Sequence, residues 1–267
     1  MPHTHEPISS HDEHHAHHHD SHDLEERNRA HWDKVAKEYE YPASAYLTAN
    51  LAQGIYDRFL KQLDNKEIAL LDYACGPGLV SYKLLEEGQV KKIVGADVSD
   101  GMVEQFNLKA KAKGFTAEQA HAVIVSNHGL KESLQGELFD VVMCNHAYHH
   151  FDDVKAVTAT LSSALKPGGI LVVADFLATE KPFVGEDFAK HAKEHGVHHT
   201  HGFKAEVLQK HFEDAGLVNV KVDSTFSVSK VKLKELGGGD TSLGHFLKDA
   251  DVNPEMMYVL ACGQKAA

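Results

Sequence analysis

The fold is decided by the stretch Ala69-Leu70-Leu71-Asp72-Tyr73-Ala74-Cys75-Gly76-Pro77-Gly78. The apolar run over residues 68–71 has the length and composition of a buried parallel strand, and it stops at Asp72. Two glycines flanking a proline then form a turn, and apolar residues recur at helical spacing from Leu79 until Gly88, where the helix should end. Strand, glycine turn and helix are the first unit of a doubly wound α/β sheet, whose ligands bind at the carboxyl ends of the strands.

A second strand is predicted over residues 92–96, and Asp97 follows it directly. An acidic side chain at the tip of the second strand reaches the two hydroxyls of an adenosine ribose. This arrangement suits any adenosine-type cofactor, including a dinucleotide. Ser81, however, stands where the dinucleotide fingerprint has its third glycine, and Asp72 would repel a pyrophosphate while suiting a cationic amino-acid group. None of the eight tyrosines has Lys four residues later, so the Tyr/Lys pair of short-chain dehydrogenases is missing.

Residues 70–78 resemble motif I of class I S-adenosylmethionine-dependent methyltransferases. Three further blocks agree with that family in order and spacing, and these are Gly95-Ala96-Asp97-Val98-Ser99 with Met102, Phe139-Asp140-Val141-Val142-Met143-Cys144-Asn145-His146, and Leu165-Lys166-Pro167-Gly168-Gly169-Ile170-Leu171. The resemblance covers roughly residues 30–176. One departure is Ala74, which stands where the family usually has the first glycine of its loop.

The resemblance implies an α/β fold with a doubly wound, Rossmann-like sheet of seven strands in the order 3-2-1-4-5-7-6. The last strand should run antiparallel, with N-terminal helices as a lid. S-adenosyl-L-methionine is the implied cofactor and S-adenosyl-L-homocysteine the product. The implied cofactor-binding residues are Asp72, Ala74, Gly76 and Gly78 in the loop and around the methionine part, Asp97 at the ribose, Val98, Met102 and Asn127 at the adenine, and Asn145 beneath the sulfonium.

A helix that begins at Asp23, with Glu26 completing a capping box, should run to about residue 40. Its segment from Trp32 to Tyr39 resembles the Trp-Asp-x-x-Ala-x-x-Tyr segment of ubiquinone/menaquinone-biosynthesis-type methyltransferases, which folds over the cofactor in relatives. Trp32 and Tyr39 therefore either help to close the cofactor site or anchor an N-terminal helix in the core.

The segment after the fourth predicted strand, residues 145–153, emerges where a methyl group would be presented. Methyl transfer from a sulfonium requires proximity and alignment first, and a base only when the nucleophile arrives protonated. Histidine titrates in the right range for such a base, so His149 and His146 are the candidate catalytic residues. Alternatively, both belong to a loop that merely precedes a helix capped by Asp152 or Asp153.

Composition restricts the partners. The formal charge of −12 argues against a nucleic-acid partner, and Lys230, Lys232 and Lys234 alternate like the exposed side of an edge strand. No apolar run reaches the roughly 18 residues that a membrane helix needs. The three cysteines lack metal-ligand spacing and favour reduced thiols in a cytoplasmic protein, with a nuclear location as the alternative.

Residues 1–22 contain nine histidines among polar residues and are predicted to be a disordered tail. The tail either binds Zn²⁺ or Ni²⁺, physiologically or adventitiously, or is simply solvated; no catalytic metal site is predicted, because nothing fixes a coordination geometry. The methyltransferase domain should span residues 23–267. It includes a helical cap over 23–65 and lid or insert regions over 178–202 and 224–254.

The sequence thus predicts methyl transfer from S-adenosylmethionine to an O, N, S or C nucleophile on a small molecule. One alternative is a non-catalytic protein that binds the cofactor and acts through a protein partner or through metal binding by its tail. A second, the nicotinamide-dependent reductase, is disfavoured by the glycine spacing. Residues 241–247 either fold back toward the active site or contact a second subunit, which leaves a homodimer open.

Overall fold

The computed structural model describes residues 26–63, 67–88, 90–125, 129–180, 183, 189–190, 192–240, 242–248 and 250–267. The histidine-rich tail over 1–22 and Asn127, expected at the adenine, lie outside the described residues.

One sheet of seven strands organises the chain. In chain order the strands are β1 (Ala69–Tyr73), β2 (Lys92–Asp97), β3 (Ala120–Ile124), β4 (Phe139–Asn145), β5 (Leu165–Phe176), β6 (Leu217–Ser229) and β7 (Glu255–Lys265). Their spatial order is β3-β2-β1-β4-β5-β7-β6. The first five strands are parallel, and β7 runs antiparallel to both β5 and β6. The predicted sheet order and the antiparallel last strand are confirmed.

Eight α-helices connect or flank the described strands. They are α1 (26–35), α2 (Pro42–Ile55), α3 (Leu79–Glu86), α4 (Asp100–Ala112), α5 (Leu130–Ser133), α6 (Val154–Ser163), α7 (Ala205–Asp214) and α8 (Lys230–Glu235). Shorter helical turns follow α1 (Ala36–Glu38) and α2 (Tyr56–Leu60 and Lys61–Leu63), and others occupy Tyr148–His150, Ala192–His195, Gly238–Asp240 and Ser242–Leu247.

The sheet separates two hydrophobic cores. Successive residues of β1 point to opposite faces, so Leu70 packs in the core beneath α2, α3 and α4, while Leu71 packs in the core beneath α6 and α7. Both side chains are completely buried. A strand buried on both faces needs an almost uninterrupted apolar sequence, which explains the run that marks β1. Its first polar side chain, Asp72, comes where the strand reaches the open edge of the sheet.

The interpretation of Lys230, Lys232 and Lys234 as an edge strand is wrong. These residues lie on α8, where the Ser229 hydroxyl accepts a hydrogen bond from the Lys232 amide and caps the helix. The reason is packing: at helical spacing Leu233 points into the core and is completely buried. Strand β6 accordingly continues to Ser229, beyond the predicted start of the 224–254 insert.

The segment after α8 folds back over the sheet. Leu243 and Leu247 of this segment are buried in the core beneath α2. The described part of residues 241–247 thus returns toward the sheet, and contact of this segment with a second subunit stays a prediction. Among the helices described, none combines the length and the apolar character needed to cross a membrane.

Candidate functional site

A cavity of about 290 Å³ lies where β1, β2 and β4 end, with α1 beside it. Most of the residues expected at the cofactor contribute to its wall, namely Trp32, Tyr39, Asp72, Ala74, Gly76, Asp97, Val98, Met102, Asn145 and His146. Gly78 and His149 do not line it. The carboxyl ends of three strands, together with α1 and the turn after it, therefore bring together residues from four separate parts of the sequence.

The turn after β1 is held against the end of β2. The backbone amide of Ala74 donates a hydrogen bond to the carbonyl of Ala96 at 2.7 Å, and Ala74 itself has a left-handed backbone with φ of 56°. That conformation costs a non-glycine residue about 1 kcal/mol. Gly76 is also left-handed, and among the described residues a Cβ added there would meet only the Met102 sulfur, at 4.0 Å, so the Gly76 position is open for a ligand to lie against the backbone.

Gly78 serves the fold rather than the cavity wall. Its φ is 78°, and it precedes the first turn of α3. A Cβ at this position would lie 2.6 Å from the ring of Phe106 and 2.7 Å from the ring of Tyr82. Packing beneath the turn therefore requires a glycine at position 78. The spacing of motif I alone did not distinguish this packing role from direct contact with the cofactor.

Asp97 is fixed by backbone donors on both sides. Its Oδ2 accepts a hydrogen bond from the Gly76 amide at 2.8 Å, and its Oδ1 accepts one from the Ser99 amide at 3.0 Å. Burial raises the pKa of Asp97, and these amides oppose the rise. Each carboxylate oxygen keeps a second lone pair, so the side chain is positioned to accept hydrogen bonds from two neighbouring hydroxyls.

Asp72 lies one strand away and is also buried. The Ser81 hydroxyl donates to its Oδ2 at 2.6 Å. Burial raises the pKa of Asp72 to about 7, with a further increase from the charge of Asp97 and an opposing decrease from the Ser81 hydrogen bond. A cation placed beside this carboxyl would favour its ionised form.

Asn145 is the last residue of β4 and His146 follows it, and both side chains have polar atoms that lack a described hydrogen-bond partner. Both side-chain polar atoms of Asn145 and the Nε2 of His146 are buried without a hydrogen-bond partner among the described residues. The backbone of His146 is left-handed, with φ of 56°, and its amide donates to the carbonyl of Ala174 at 2.7 Å. Burial and the neighbouring His149 lower the pKa of His146 to about 4, so this imidazole is neutral at pH 7.

His149 lies behind His146 and is almost completely buried. Its Nδ1 donates to Oδ1 of Asp175 at 2.9 Å, and its backbone amide donates to Oδ2 of Asp175 at 3.2 Å. Although burial opposes ionisation, His149 holds the pKa of Asp175 below its usual range. Asp175 was not anticipated from the sequence; the signal available was a carboxylate inside the apolar run of β5.

Described residues of the 178–202 region pack onto the loop that carries His149, since the amides of His198 and His199 donate to the His149 carbonyl. His150 donates from Nδ1 to the carbonyl of Gly196 at 2.7 Å, and His199 donates from Nε2 to the carbonyl of Phe151 at 3.0 Å. The described residues contain no group of three or more His, Cys, Asp or Glu side chains suited to hold a metal ion. His150 and His199 instead connect two loops through their hydrogen bonds.

Aromatic rings pack around His146. Its ring packs edge-on against Phe176, with centroids 4.6 Å apart, and lies 6.1 Å from Phe246. Phe183 lies 4.0 Å from Phe176. Rings from the two insert regions thus meet over the end of β5, beside the cavity.

Trp32 and Tyr39 form the wall on the α1 side. Trp32 packs edge-on against His150, with centroids 5.3 Å apart, and lies 6.0 Å from Tyr39. Both side chains are half-buried and face the cavity rather than either hydrophobic core. Burial raises the pKa of Tyr39 to about 12, so its hydroxyl keeps its proton.

Comparisons with known proteins agree with this architecture. Residues 44–222 match the family described as "Methyltransferase domain". An uncharacterized methyltransferase of Schizosaccharomyces pombe is 38% identical over 159 residues, which cover 58% of this chain and 55% of that protein. A ubiquinone biosynthesis O-methyltransferase of Rhizobium johnstonii is 32% identical over 114 residues, 43% of each protein. This chain therefore spans about half the length of the curated relatives that it matches.

The fold is also found in solved structures. The Haemonchus contortus phosphoethanolamine N-methyltransferase 2, in complex with S-adenosyl-L-methionine, superposes with a TM-score of 0.60 at 14% identity. The similarity covers 90% of this chain and 60% of that one. Together with the family match over more than half of the sequence, the glycine turn and the two strand-end aspartates identify the chain, which belongs to the class I S-adenosylmethionine-dependent methyltransferase family.

Proposed function

We propose that this protein transfers the methyl group of S-adenosylmethionine to a nucleophilic atom of a small molecule. The observation that carries the proposal is the placement of Asp72 and Asp97 at the ends of adjacent strands, in one cavity with Asn145 and His146. Two carboxylates separated by a glycine turn are complementary to a ligand that has an ammonium group at one end and a ribose at the other.

The chain's own atoms fit such a cofactor. The Gly76 position is open toward the cavity, so the backbone can be approached closely. The side-chain amide of Asn145 is buried without a described partner, a state that costs free energy unless a ligand supplies hydrogen bonds. These two features, together with the buried carboxyls, support a polar ligand in the cavity.

The role proposed for each cavity residue follows from its position. When bound, the cofactor supplies a methyl group already activated on a sulfonium, so the protein's task is alignment. Asp97 would accept hydrogen bonds from the ribose, Asp72 would pair with the ammonium group, and Asn145 would orient the part of the ligand near β4. Trp32 and Tyr39 would exclude water from the α1 side.

His146 is the better placed of the two histidine candidates. It lines the cavity, it is neutral at pH 7, and its Nε2 has no partner among the described residues. A neutral imidazole accepts a hydrogen bond or a proton from the acceptor, but a pKa of about 4 makes it a weak base. We therefore infer that His146 mainly orients the nucleophile. A direct role of His149 stays a prediction, since its buried pairing with Asp175 suits it to hold the loop.

The first experiment is calorimetric titration of the full chain with S-adenosylhomocysteine, with NADH titrated in parallel. We expect micromolar or tighter binding of the first and no response to the second. Asp97→Ala should abolish binding, whereas Asp100→Ala, which removes an exposed carboxylate three residues further on, should not. Micromolar affinity retained in Asp97→Ala would refute the ribose assignment, and no binding by the unmodified protein would remove the cofactor.

The acceptor is proposed to be a small molecule rather than a nucleic acid because the formal charge is −12 and the cavity is bounded by α1 and by Leu243 of the 224–254 insert. Transfer of tritiated methyl groups to extracted metabolites, protein and nucleic acid, each tested separately, distinguishes these classes. Label recovered only in nucleic acid would contradict the proposal. The alternative of a non-catalytic cofactor-binding protein receives no support from the relatives, which are named as methyltransferases.

A further inference from the structure

Helix α1 and the turn after it cross one side of the cavity. The cavity is lined by Trp32 of the helix and Tyr39 just beyond the turn. A cofactor held by Asp97 would be covered by these side chains. Entry and exit of that cofactor therefore depend on how residues 26–38 are attached to the rest of the chain.

The attachment next to the ribose site is made by Asp33. Its Oδ1 accepts a hydrogen bond from the Ser99 hydroxyl at 2.6 Å and a second from the Gly101 amide at 2.9 Å. Both donors lie at the amino-terminal end of α4, where unpaired amides and the helix dipole favour a carboxylate. Asp33 is exposed to solvent and does not line the cavity, so it makes no contact that a cofactor would replace.

The backbone of α4 is shaped to receive this contact. A Cβ built on Gly101 would lie 3.1 Å from the Cβ of Ala36 and 3.2 Å from the backbone of Asp33. Because these distances are tighter than ordinary contacts, any larger side chain at this position would push residues 33–36 away from α4. The absence of a side chain at Gly101 therefore permits the close approach that the Asp33 hydrogen bonds require.

The same contact continues to the ribose site. Ser99 donates its hydroxyl to Asp33 and its backbone amide to Asp97. One residue thus joins the carboxylate on α1 to the carboxylate expected to hold the ribose. At the other end of α1, Asn28 fills the space beside Gly196, where a Cβ would lie 1.8 Å from the Asn28 Oδ1.

The resemblance already implies that residues 26–38 act as a lid over the cofactor; we propose that Asp33 sets the rate of cofactor exchange by holding this lid on the first turn of α4. This inference rests on the proposed function. The Asp33 side chain is exposed, so water can reach its carboxylate and replace the hydrogen bonds to Ser99 and Gly101 when the lid opens. Such gating steps limit the turnover of many enzymes.

The test uses the only tryptophan of the chain, Trp32, which lies on the lid and faces the cavity. Stopped-flow fluorescence during mixing with S-adenosylhomocysteine gives the association and dissociation rates of the full chain. A closed lid slows both entry and exit. Asp33→Ala should therefore raise both rates, by about tenfold each, which corresponds to about 1.4 kcal/mol. The dissociation constant should change by much less than either rate.

Three further variants separate the contact from general effects. Gly101→Ala removes no polar group and improves helix propensity, yet it should raise both rates because it pushes the lid away. Asp33→Asn keeps an acceptor oxygen and should lie between the unmodified protein and Asp33→Ala. Glu38→Ala removes an exposed carboxylate from the same segment and should leave both rates unchanged.

Two results of the rate measurements would overturn the proposal. The first is unchanged rates in Asp33→Ala and Gly101→Ala. The second is faster dissociation at an unchanged association rate, which would indicate a contact that holds the ligand instead of a gate.

Acrylamide quenching of Trp32 without any ligand tests the lid independently of the cofactor. Quenching should increase in Asp33→Ala and Gly101→Ala but not in Glu38→Ala, and equal quenching in all variants would also overturn the proposal. If the unmodified protein gives no signal with S-adenosylhomocysteine while quenching responds as expected, the proposed cofactor fails and the Asp33 attachment stands.

Discussion

The affinity for S-adenosylhomocysteine should depend on pH through Asp72. In the free site, burial raises the pKa of this carboxyl to about 7. The ammonium group of the ligand attracts the ionised carboxylate and gains little from the protonated form. Binding should therefore weaken as the pH falls through 7, and at lower pH each binding event should release a proton.

The size of the effect follows from the ionised fraction. With a pKa of about 7, roughly one eleventh of the Asp72 carboxyls are ionised at pH 6 and roughly ten elevenths at pH 8. If only the ionised form binds, the dissociation constant is about tenfold larger at pH 6 than at pH 8, a difference of about 1.4 kcal/mol. A carboxyl with the ordinary value of 3.8 would be ionised at both values and would produce no difference.

The assay is calorimetry at pH 6, 7 and 8 in buffers of different ionisation enthalpy, which reports both the affinity and the number of protons released. Asp72→Asn is the matched variant, because it keeps the shape of the side chain and removes its titration. It should bind weakly with little dependence on pH, and any dependence that remains belongs to Asp97. Ser81→Ala removes the hydrogen bond that lowers the pKa of Asp72, so its midpoint should move to higher pH.

Equal affinity at pH 6 and pH 8 in the unmodified protein, within a factor of two, would refute this reasoning. So would an equally steep dependence in Asp72→Asn, since the titrating group would then lie elsewhere. Circular dichroism of each variant at each pH verifies that loss of binding is not loss of fold.

Three predictions concern stability, each measured by urea unfolding at pH 7. Gly78→Ala should lower the free energy of unfolding by about 3 kcal/mol, because the new Cβ meets Phe106 and the backbone is left-handed. An unchanged unfolding midpoint would contradict the packing role of Gly78. Asp175→Asn should also lower the free energy of unfolding by about 3 kcal/mol, since it removes the carboxylate from the buried pair that Asp175 forms with His149. A decrease of less than about 1 kcal/mol would argue against that pairing. Ala74→Gly should leave the free energy of unfolding unchanged or raise it by up to about 1 kcal/mol, because glycine adopts the left-handed backbone without strain. A marked decrease would show that Ala74 is not strained.

The parts of the fold that could be predicted from the sequence are those with local signals. Buried parallel strands are apolar along their whole length, so each run and the polar residue that ends it could be read directly, as at Asp72, Asp97 and Asn145. Since all parallel strands of one sheet end at the same edge, these three residues were expected to share a site. The cavity wall contains all three.

The rest depends on contacts between distant parts of the chain. His149 and Asp175 are 26 residues apart and meet only because β4 and β5 are neighbours, so the burial of His149 away from the cavity had no local signal. Asp33 and Ser99 are 66 residues apart, and the orientation of α1 that joins them follows from no periodicity. For Lys230 and its neighbours, the alternating charges match the period of a strand, but core packing of Leu233 at helical spacing overrides that pattern.

Ser99 carries a consequence for how this sequence can change during evolution. Its hydroxyl accepts from the Met102 amide while donating to Asp33, and its own amide donates to Asp97. Helix initiation and attachment of α1 therefore share a single hydroxyl, next to a backbone amide that orients a strand-end carboxylate. A mutation there is pleiotropic: it alters the first two properties together, whereas any residue except proline keeps the amide that binds Asp97. Threonine retains the same hydroxyl, so drift at this position should be confined to serine and threonine.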